Sequence, residues 1–173
     1  MKNETDNSKQ FIITAFIQLL KNTDYEELSV TQIAKKAGVG RATFYRHFKN
    51  KEDILKEYFN QQKEKFISNN IYKPRAKEDF KENCLKSFTN LQNHREFLQS
   101  IIKSHLEYLY LDFVNSEFVK NFEKNYPKES LYTAYYAAGS FMNVSLKWVK
   151  SGCKESPEEI VEIYINQVFA SVP

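Results

Sequence analysis

Apolar residues recur at intervals of three and four along nearly all of the 173-residue chain, the spacing that turns one face of a helix toward a core. After a polar opening, residues 1 to 8, which is expected to fray, Ile12, Ala15, Phe16, Leu19 and Leu20 form the first such stripe. Thr23-Asp24-Tyr25-Glu26-Glu27 breaks it. Ser29-Val30-Thr31-Gln32 then reads as a capping box, in which the Ser29 oxygen accepts from the third helical N–H while Gln32 reaches back to the cap N–H, and Leu28 and Ile33 sit at hydrophobic-staple positions. The second helix is predicted to be short, ending at Ala37. Gly38 suits the left-handed conformation that closes a helix, Val39 plugs the turn and Gly40 opens a third helix. In that third helix Phe44 is the one strongly apolar residue, with Phe48 a turn later. Asn50 can cap a fourth helix from Lys51, with Asp53 in its first turn and Ile54, Leu55, Tyr58 and Phe59 inward; Phe66 and Ile67 extend its stripe to about Ser68.

Asn69-Asn70 and Lys73-Pro74-Arg75 mark a connection, because proline does not fit an undisturbed helix interior. Phe80, Cys84, Phe88 and Leu91 share one face of the next helix, and Asn93-His94-Arg95 interrupts it. A further stripe is predicted through Phe97, Leu98, Ile101, Ile102, His105, Leu106 and Leu109, with His105 on the apolar face as a core histidine or an effector contact. Asn115-Ser116 can cap a short helix bearing Phe118, Val119 and Phe122, stopped near Tyr126-Pro127. The last two helices differ from the others. Leu131, Tyr135, Ala138 and Met142 line one side of the first, and Ala137, Phe141, Val144 and Trp148 another, up to Gly152. Ser156-Pro157-Glu158-Glu159 starts the second, where Ile160, Val161, Ile163, Tyr164, Ile165, Val168 and Phe169 again wrap widely. Such a pair suits a four-helix bundle across a twofold axis, with a thick intrachain core as the alternative. The fold class is therefore all α, with an N-terminal unit of residues 1 to 50 and a helical body of residues 51 to 173.

Charge changes the picture at one place. Of the 25 Lys and Arg, six fall in residues 28 to 51, which contain no Asp or Glu, so the other 19 are outnumbered by all 22 acidic groups elsewhere. A cationic helical pair on an acidic body fits a polyanion, and with a helix-turn-helix pattern it points to double-stranded DNA. The three histidines, His47, His94 and His105, are scattered, and there is no P-loop, dinucleotide fingerprint, nucleophile elbow or zinc pattern. No enzyme activity, catalytic residue, cofactor or metal is expected. Cys84 and Cys153 lie far apart without metal spacing and read as structural thiols. The apolar runs are too short to cross a membrane and the start is no signal peptide, so a cytoplasmic protein without membrane association is expected.

Leu28 to Leu55, with Ile33-Ala34, Gly38-Val39, Thr43-Phe44-Tyr45-Arg46-His47-Phe48 and Lys51-Glu52-Asp53-Ile54-Leu55, resembles the DNA-binding head of TetR-type transcriptional regulators, the likeness running from about Phe11 to Phe59. The resemblance implies an all-helical homodimer whose three N-terminal helices bind a DNA operator and whose body dimerises and binds an inducer. It implies DNA contacts at Thr31 and Gln32, at Gly40, Arg41, Ala42, Thr43, Tyr45 and His47, and a phosphate contact at Lys51. Gly40 departs from the serine of many relatives and lacks its side-chain contact. Ala42 offers only a methyl, so Arg41 and Thr43 are the expected base readers, with a phosphate contact alone as the alternative for Arg41. Residues from Gly139 to Trp148, with Ser156-Pro157-Glu158-Glu159, are similar to a body type of TetR-type regulators from low-GC Gram-positive bacteria, some without a known small ligand. The expected function is a homodimeric repressor released from a pseudo-palindromic operator by a small hydrophobic or aromatic effector; control by a protein partner, or action as an activator, is the alternative. Effector contacts are expected at His105, Tyr108, Phe113 and Phe122. The dimer interface is expected at Tyr135, Gly139, Met142, Trp148, Ile160, Tyr164 and Val168.

Overall fold

The three-and-four periodicity becomes helix throughout the computed structural model, which describes residues 2–63 and 77–170. Among the described residues there are nine α-helices and no strand. They are α1 (Lys2–Leu20), α2 (Val30–Lys36), α3 (Arg41–His47), α4 (Lys51–Gln61), α5 (Lys77–Asn93), α6 (Arg95–Lys103), α7 (Glu107–Asn125), α8 (Leu131–Lys150) and α9 (Pro157–Ala170), with a 3-10 turn at Tyr25–Glu27 between α1 and α2. The backbone of α1 is already helical at Lys2, so the opening predicted to fray continues the first helix. The expected run of α4 through Phe66 and Ile67 to Ser68, the connection at Asn69-Asn70 and Lys73-Pro74-Arg75, and the side chain of Phe169 lie outside the described residues. No helix among the described residues is long and apolar enough to cross a membrane.

One continuous core runs from the first helix to the last. In the head, Ile12, Phe16, Ile33, Phe44, Ile54 and Leu55 are fully buried together. The body core takes over at Phe59, whose ring lies 5.4 Å from Tyr110, 5.5 Å from Phe113 and 5.9 Å from Phe97. Helix α4 is thus the shared wall: its first turns complete the head and its last turns sit on α6 and α7. Polar ties follow the same seam. Lys21 pairs with Glu96 at 3.1 Å, Lys103 with Asp24 at 2.5 Å and Lys63 with Glu117 at 3.2 Å. Glu117 is a charge that periodicity gave no reason to bury; it is 5% exposed and also meets Lys120 at 3.1 Å.

Two predicted elements differ. The stripe from Phe97 to Leu109 is not one helix, because α6 stops at Lys103 and His105 adopts a left-handed φ of 55°. The His105 N–H donates to Ile102 O at 3.1 Å and the Leu106 N–H to Ile101 O at 3.0 Å, a Schellman closure made without glycine. His105 is exposed as a result, and its expected place on the apolar face is not realised. Conversely, α7 runs unbroken through Asn115 and Ser116. Burial of Phe113, Val114, Glu117 and Phe118 on one face holds the helix together across two residues that prefer caps. Cys84 is buried, and desolvation pushes its thiol up to about 12; Cys153 is half-buried, and neither cysteine forms a disulfide.

Candidate nucleic-acid interface

The recognition unit is specified locally before it is packed. At the start of α2 the Gln32 N–H donates to Ser29 Oγ at 3.2 Å, while Gln32 Oε1 accepts from the Ser29 N–H at 2.8 Å and the Ser29 hydroxyl at 2.7 Å. Leu28 and Ile33 are buried on either side of the box, as a staple requires. Ser29→Ala is expected to destabilise the protein by about 1 kcal/mol, read as a shift of the urea midpoint. The turn that follows needs its glycine: Gly38 has a φ of 68°, and its N–H and that of Val39 close α2 on Lys35 O and Ala34 O. Gly40 caps α3 with ordinary extended backbone, without a side-chain bond. Asn50 Oδ1 accepts from the Asp53 N–H at 2.9 Å to start α4.

This geometry gives α3 two opposite faces. Phe44 is fully buried and Phe48 nearly so, and the two pack ring to ring at 6.1 Å. Gly40, Arg41, Ala42 and Tyr45 face solvent, as do Thr31 and Gln32 on α2, while Thr43 is half-buried at the edge. Two expected contacts are less available than the resemblance implies. Gln32 spends its amide oxygen on the Ser29 cap, and His47 turns toward Phe48 with Nε2 buried. Lys51 departs further. Its Nζ donates to Tyr25 O at 2.6 Å and sits 4.0 Å over the Tyr25 ring, and burial lowers its pKa from the ordinary lysine value despite the opposing effect of Glu26.

The electrostatic contrast is sharp. Lys35, Lys36, Arg41, Arg46 and Lys49 are all exposed, and among the described residues none of them takes part in an ion pair. The α2 to α3 face therefore keeps its cations for an external anion, and the small residues Gly40 and Ala42 let that anion approach the backbone.

The sequence of this unit matches the family described as "Bacterial regulatory proteins, tetR family" over residues 12–58. Residues 78–168 match a second description, "Transcriptional regulator C-terminal region", so head and most of the body are both covered. The chain belongs to the TetR family of transcriptional regulators. Like other members of the TetR family it is a DNA-binding regulator and not an enzyme. The Fatty acid metabolism regulator protein of Bacillus subtilis (strain 168) is 41% identical over 71 residues, which is 41% of this chain and 34% of that one. The chain thus matches about a third of that relative's length. The crystal structure of Lin0861 from Listeria innocua superimposes with a TM-score of 0.76 at 18% identity, covering 100% of this chain and 94% of that one. The regulator FadR from Bacillus subtilis, in complex with stearoyl-CoA, superimposes with a TM-score of 0.59 at 20% identity over 95% of this chain and 99% of that one. At these identities the likeness to the two structures is one of fold.

The body residues singled out from polarity, position and the broad apolar faces of the last two helices divide. Phe113 and Phe122 are interior, Phe122 against Tyr126 with ring centres 5.3 Å apart. Tyr108 is 46% exposed and His105 is exposed, so these two do not line an interior with Phe113. Most of the expected dimer residues also prove to be occupied within one chain. Met142, Trp148, Ile160 and Tyr164 are buried; Trp148 packs on Phe88 at 5.4 Å and donates Nε1–H to Glu155 O at 3.1 Å, and Tyr164 shares a hydrogen bond with Ser140 at 3.0 Å. The broad apolar faces of α8 and α9 are consumed by packing on α5, α6 and α7. Val168 and Gly139 are half-buried, and Tyr135 is 51% exposed. Tyr132 at 85% and Tyr136 at 70% also face out and were passed over by sequence reasoning, while Ile163, at 51%, was placed on the apolar surface of the last helix but not among the interface residues. Their four-three spacing with Gly139 and Asn143 was the available signal.

Proposed function

We propose that the chain acts as a homodimeric repressor, its two α3 helices reading successive major grooves of a pseudo-palindromic operator until an effector releases it. The observation that carries this reading is the outward face of α2 and α3, where Arg41 and four other exposed cations take part in no ion pair among the described residues and Thr31, Ala42, Thr43 and Tyr45 stand beside them. Half-site centres are expected about 34 to 36 Å apart, or a small multiple of that. Selection of duplexes from a random pool by the full chain tests this directly: an enriched pseudo-palindrome with that spacing supports the reading, and enrichment of single half-sites alone defeats it.

The proposed twofold contact uses what the monomer leaves open. Tyr132, Tyr136, Gly139 and Asn143 form one stripe on α8, and a Cβ built at Gly139 meets nothing within 4 Å, so glycine is not demanded by the chain's own packing. Ile163 continues the apolar surface on α9. Tyr136→Glu is expected to leave the helices folded, since the ring is exposed, and to convert the protein to monomer in light scattering. A wild-type protein that stays monomeric at concentrations where it holds the operator contradicts the twofold geometry.

An apolar effector fits the body better than a polar one, because the ring cluster around Phe59, Phe97, Tyr110 and Phe113 joins α4 to α6 and α7. A ligand that parts those rings moves α4, and α4 carries the head. Only a ligand with different affinity for the two arrangements shifts the population. Acyl-CoA is the first class to test, given the ligand of the B. subtilis FadR structure. Its expected effect is loss of operator binding at saturating ligand, and no change in affinity rejects that class.

A further inference from the structure

Among the described residues Glu117 is the only acidic or basic side chain that is buried. It stands on α7 one turn after Phe113, and Lys63 stands one turn after Phe59, just past the Gln62 cap of α4. The seam between the two helices therefore has two consecutive rungs. In the first, the rings of Phe59 and Phe113 stack at 5.5 Å with their planes 19° apart. In the second, Lys63 Nζ donates to Glu117 Oε2 at 3.2 Å. The other ion pairs between head and body, Lys21 with Glu96 and Lys103 with Asp24, are exposed at both ends, where water competes with them.

The second carboxylate oxygen explains how a charge can sit in this seam. Glu117 Oε1 accepts from Lys120 Nζ at 3.1 Å, three residues along the same helix. Burial pushes the Glu117 carboxyl up, yet the hydrogen bonds from Lys120 and Lys63 carry it below the ordinary glutamate value. Each oxygen thus has its own lysine, and the two lysines differ in kind. Lys120 moves with α7 and accompanies Glu117 wherever α4 lies. Lys63 arrives only when the end of α4 is docked. A buried carboxylate that loses its sole partner is left uncompensated, at a large cost in stability. Here the departure of Lys63 leaves Glu117 with Lys120 and, once α4 has drawn back, with water.

We infer that Glu117 is a positioning residue for DNA binding: through Lys63 it holds the end of α4, and with it the head, in the operator-binding arrangement, while Lys120 keeps the carboxylate compensated when α4 parts from α7. This rests on the reading that movement of α4 releases the operator, and it deepens that reading. An effector has to separate the rings of the first rung, and the second then opens without stranding a charge. Little of the effector's differential affinity is needed to offset the electrostatics of the change.

A double-mutant cycle on the full chain tests the catch through amide hydrogen exchange in the last turn of α4. Affinity for a duplex that the chain itself selects from a random pool tests the role of the catch. Lys63→Met keeps the stem and removes the charge. It is expected to speed exchange from Phe59 to Gln62 roughly two- to fivefold, and to weaken duplex binding by a similar factor with the salt slope of wild type. In a Glu117→Gln background the same substitution is expected to change neither quantity, because its partner is already neutral. Lys63→Met and Lys120→Met together are expected to lower the urea midpoint by more than the sum of the two alone, since only then is Glu117 abandoned. Equal effects of Lys63→Met in both backgrounds, or no effect on exchange, overturn the catch. Faster exchange with unaltered duplex affinity, or a salt slope flattened by about 0.9, overturns the positioning role. Additive midpoints overturn the part given to Lys120. Wild-type protein that binds no duplex fails the DNA-binding reading itself, and the exchange cycle is decided independently of that result.

Discussion

Phe44→Ala is expected to destabilise the protein by about 3 to 5 kcal/mol, a large share of the roughly 5 to 15 kcal/mol that holds a domain of this kind together. The ring is fully buried and is the main apolar anchor of a seven-residue helix, too short to persist by itself. Removing it leaves a cavity under α3 between α1, α2 and Phe48, and the recognition face loses its orientation. Urea unfolding gives the energy and duplex titration gives the consequence. The next residue supplies the control: Tyr45 is 51% exposed, so Tyr45→Ala is expected to change stability by no more than about 0.5 kcal/mol while lowering DNA affinity. Equal stability for the two variants would mean that α3 is not held through Phe44.

Arg41→Ala carries the second large effect, on binding instead of folding. Arg41 is exposed in the first turn of α3 and takes part in no ion pair among the described residues, so its loss costs the fold little. Against a selected operator the expected cost is about 1 to 3 kcal/mol, or roughly 5- to 150-fold in affinity, if it pairs with the N7 and O6 edge of a guanine. Measuring every single-base variant of the half-site decides the matter. Loss confined to one position marks a base reader, and equal loss on all duplexes marks a phosphate contact.

How much of this could be read from the chain depended on how local each cause is. Ser29 with Gln32, Gly38 and Asn50 act within four residues, and each does in the structure what its neighbours in sequence require. Phe44 was legible because it stands alone among polar residues. His105 misled because the closure of α6 uses a residue other than glycine in a left-handed conformation, and a stripe of apolar residues does not record a change of direction. Asn115 and Ser116 misled in the opposite sense, since the burial of Phe113 and Phe118 outweighs their preference for caps. The C-terminal pair showed how wide its apolar faces are, but not which part its own chain covers; Met142, Trp148, Ile160 and Tyr164 went inward and Tyr132 and Tyr136 outward. The hold of Tyr25 on Lys51 spans 26 positions and has no signature in either segment.

The shared wall of α4 bears on how such proteins can be recombined. Ile54 and Leu55 are fully buried in the head, Lys51 is fastened to Tyr25, and Glu57 reaches back to Lys9. A transplant of residues 1 to 50 onto a foreign body would arrive without its floor, exposing Ile12, Phe16 and Phe44 to water unless the new helix happened to match them. The natural seam for grafting lies within α4, after Glu57 and before Phe59, where the side chains change allegiance from one core to the other.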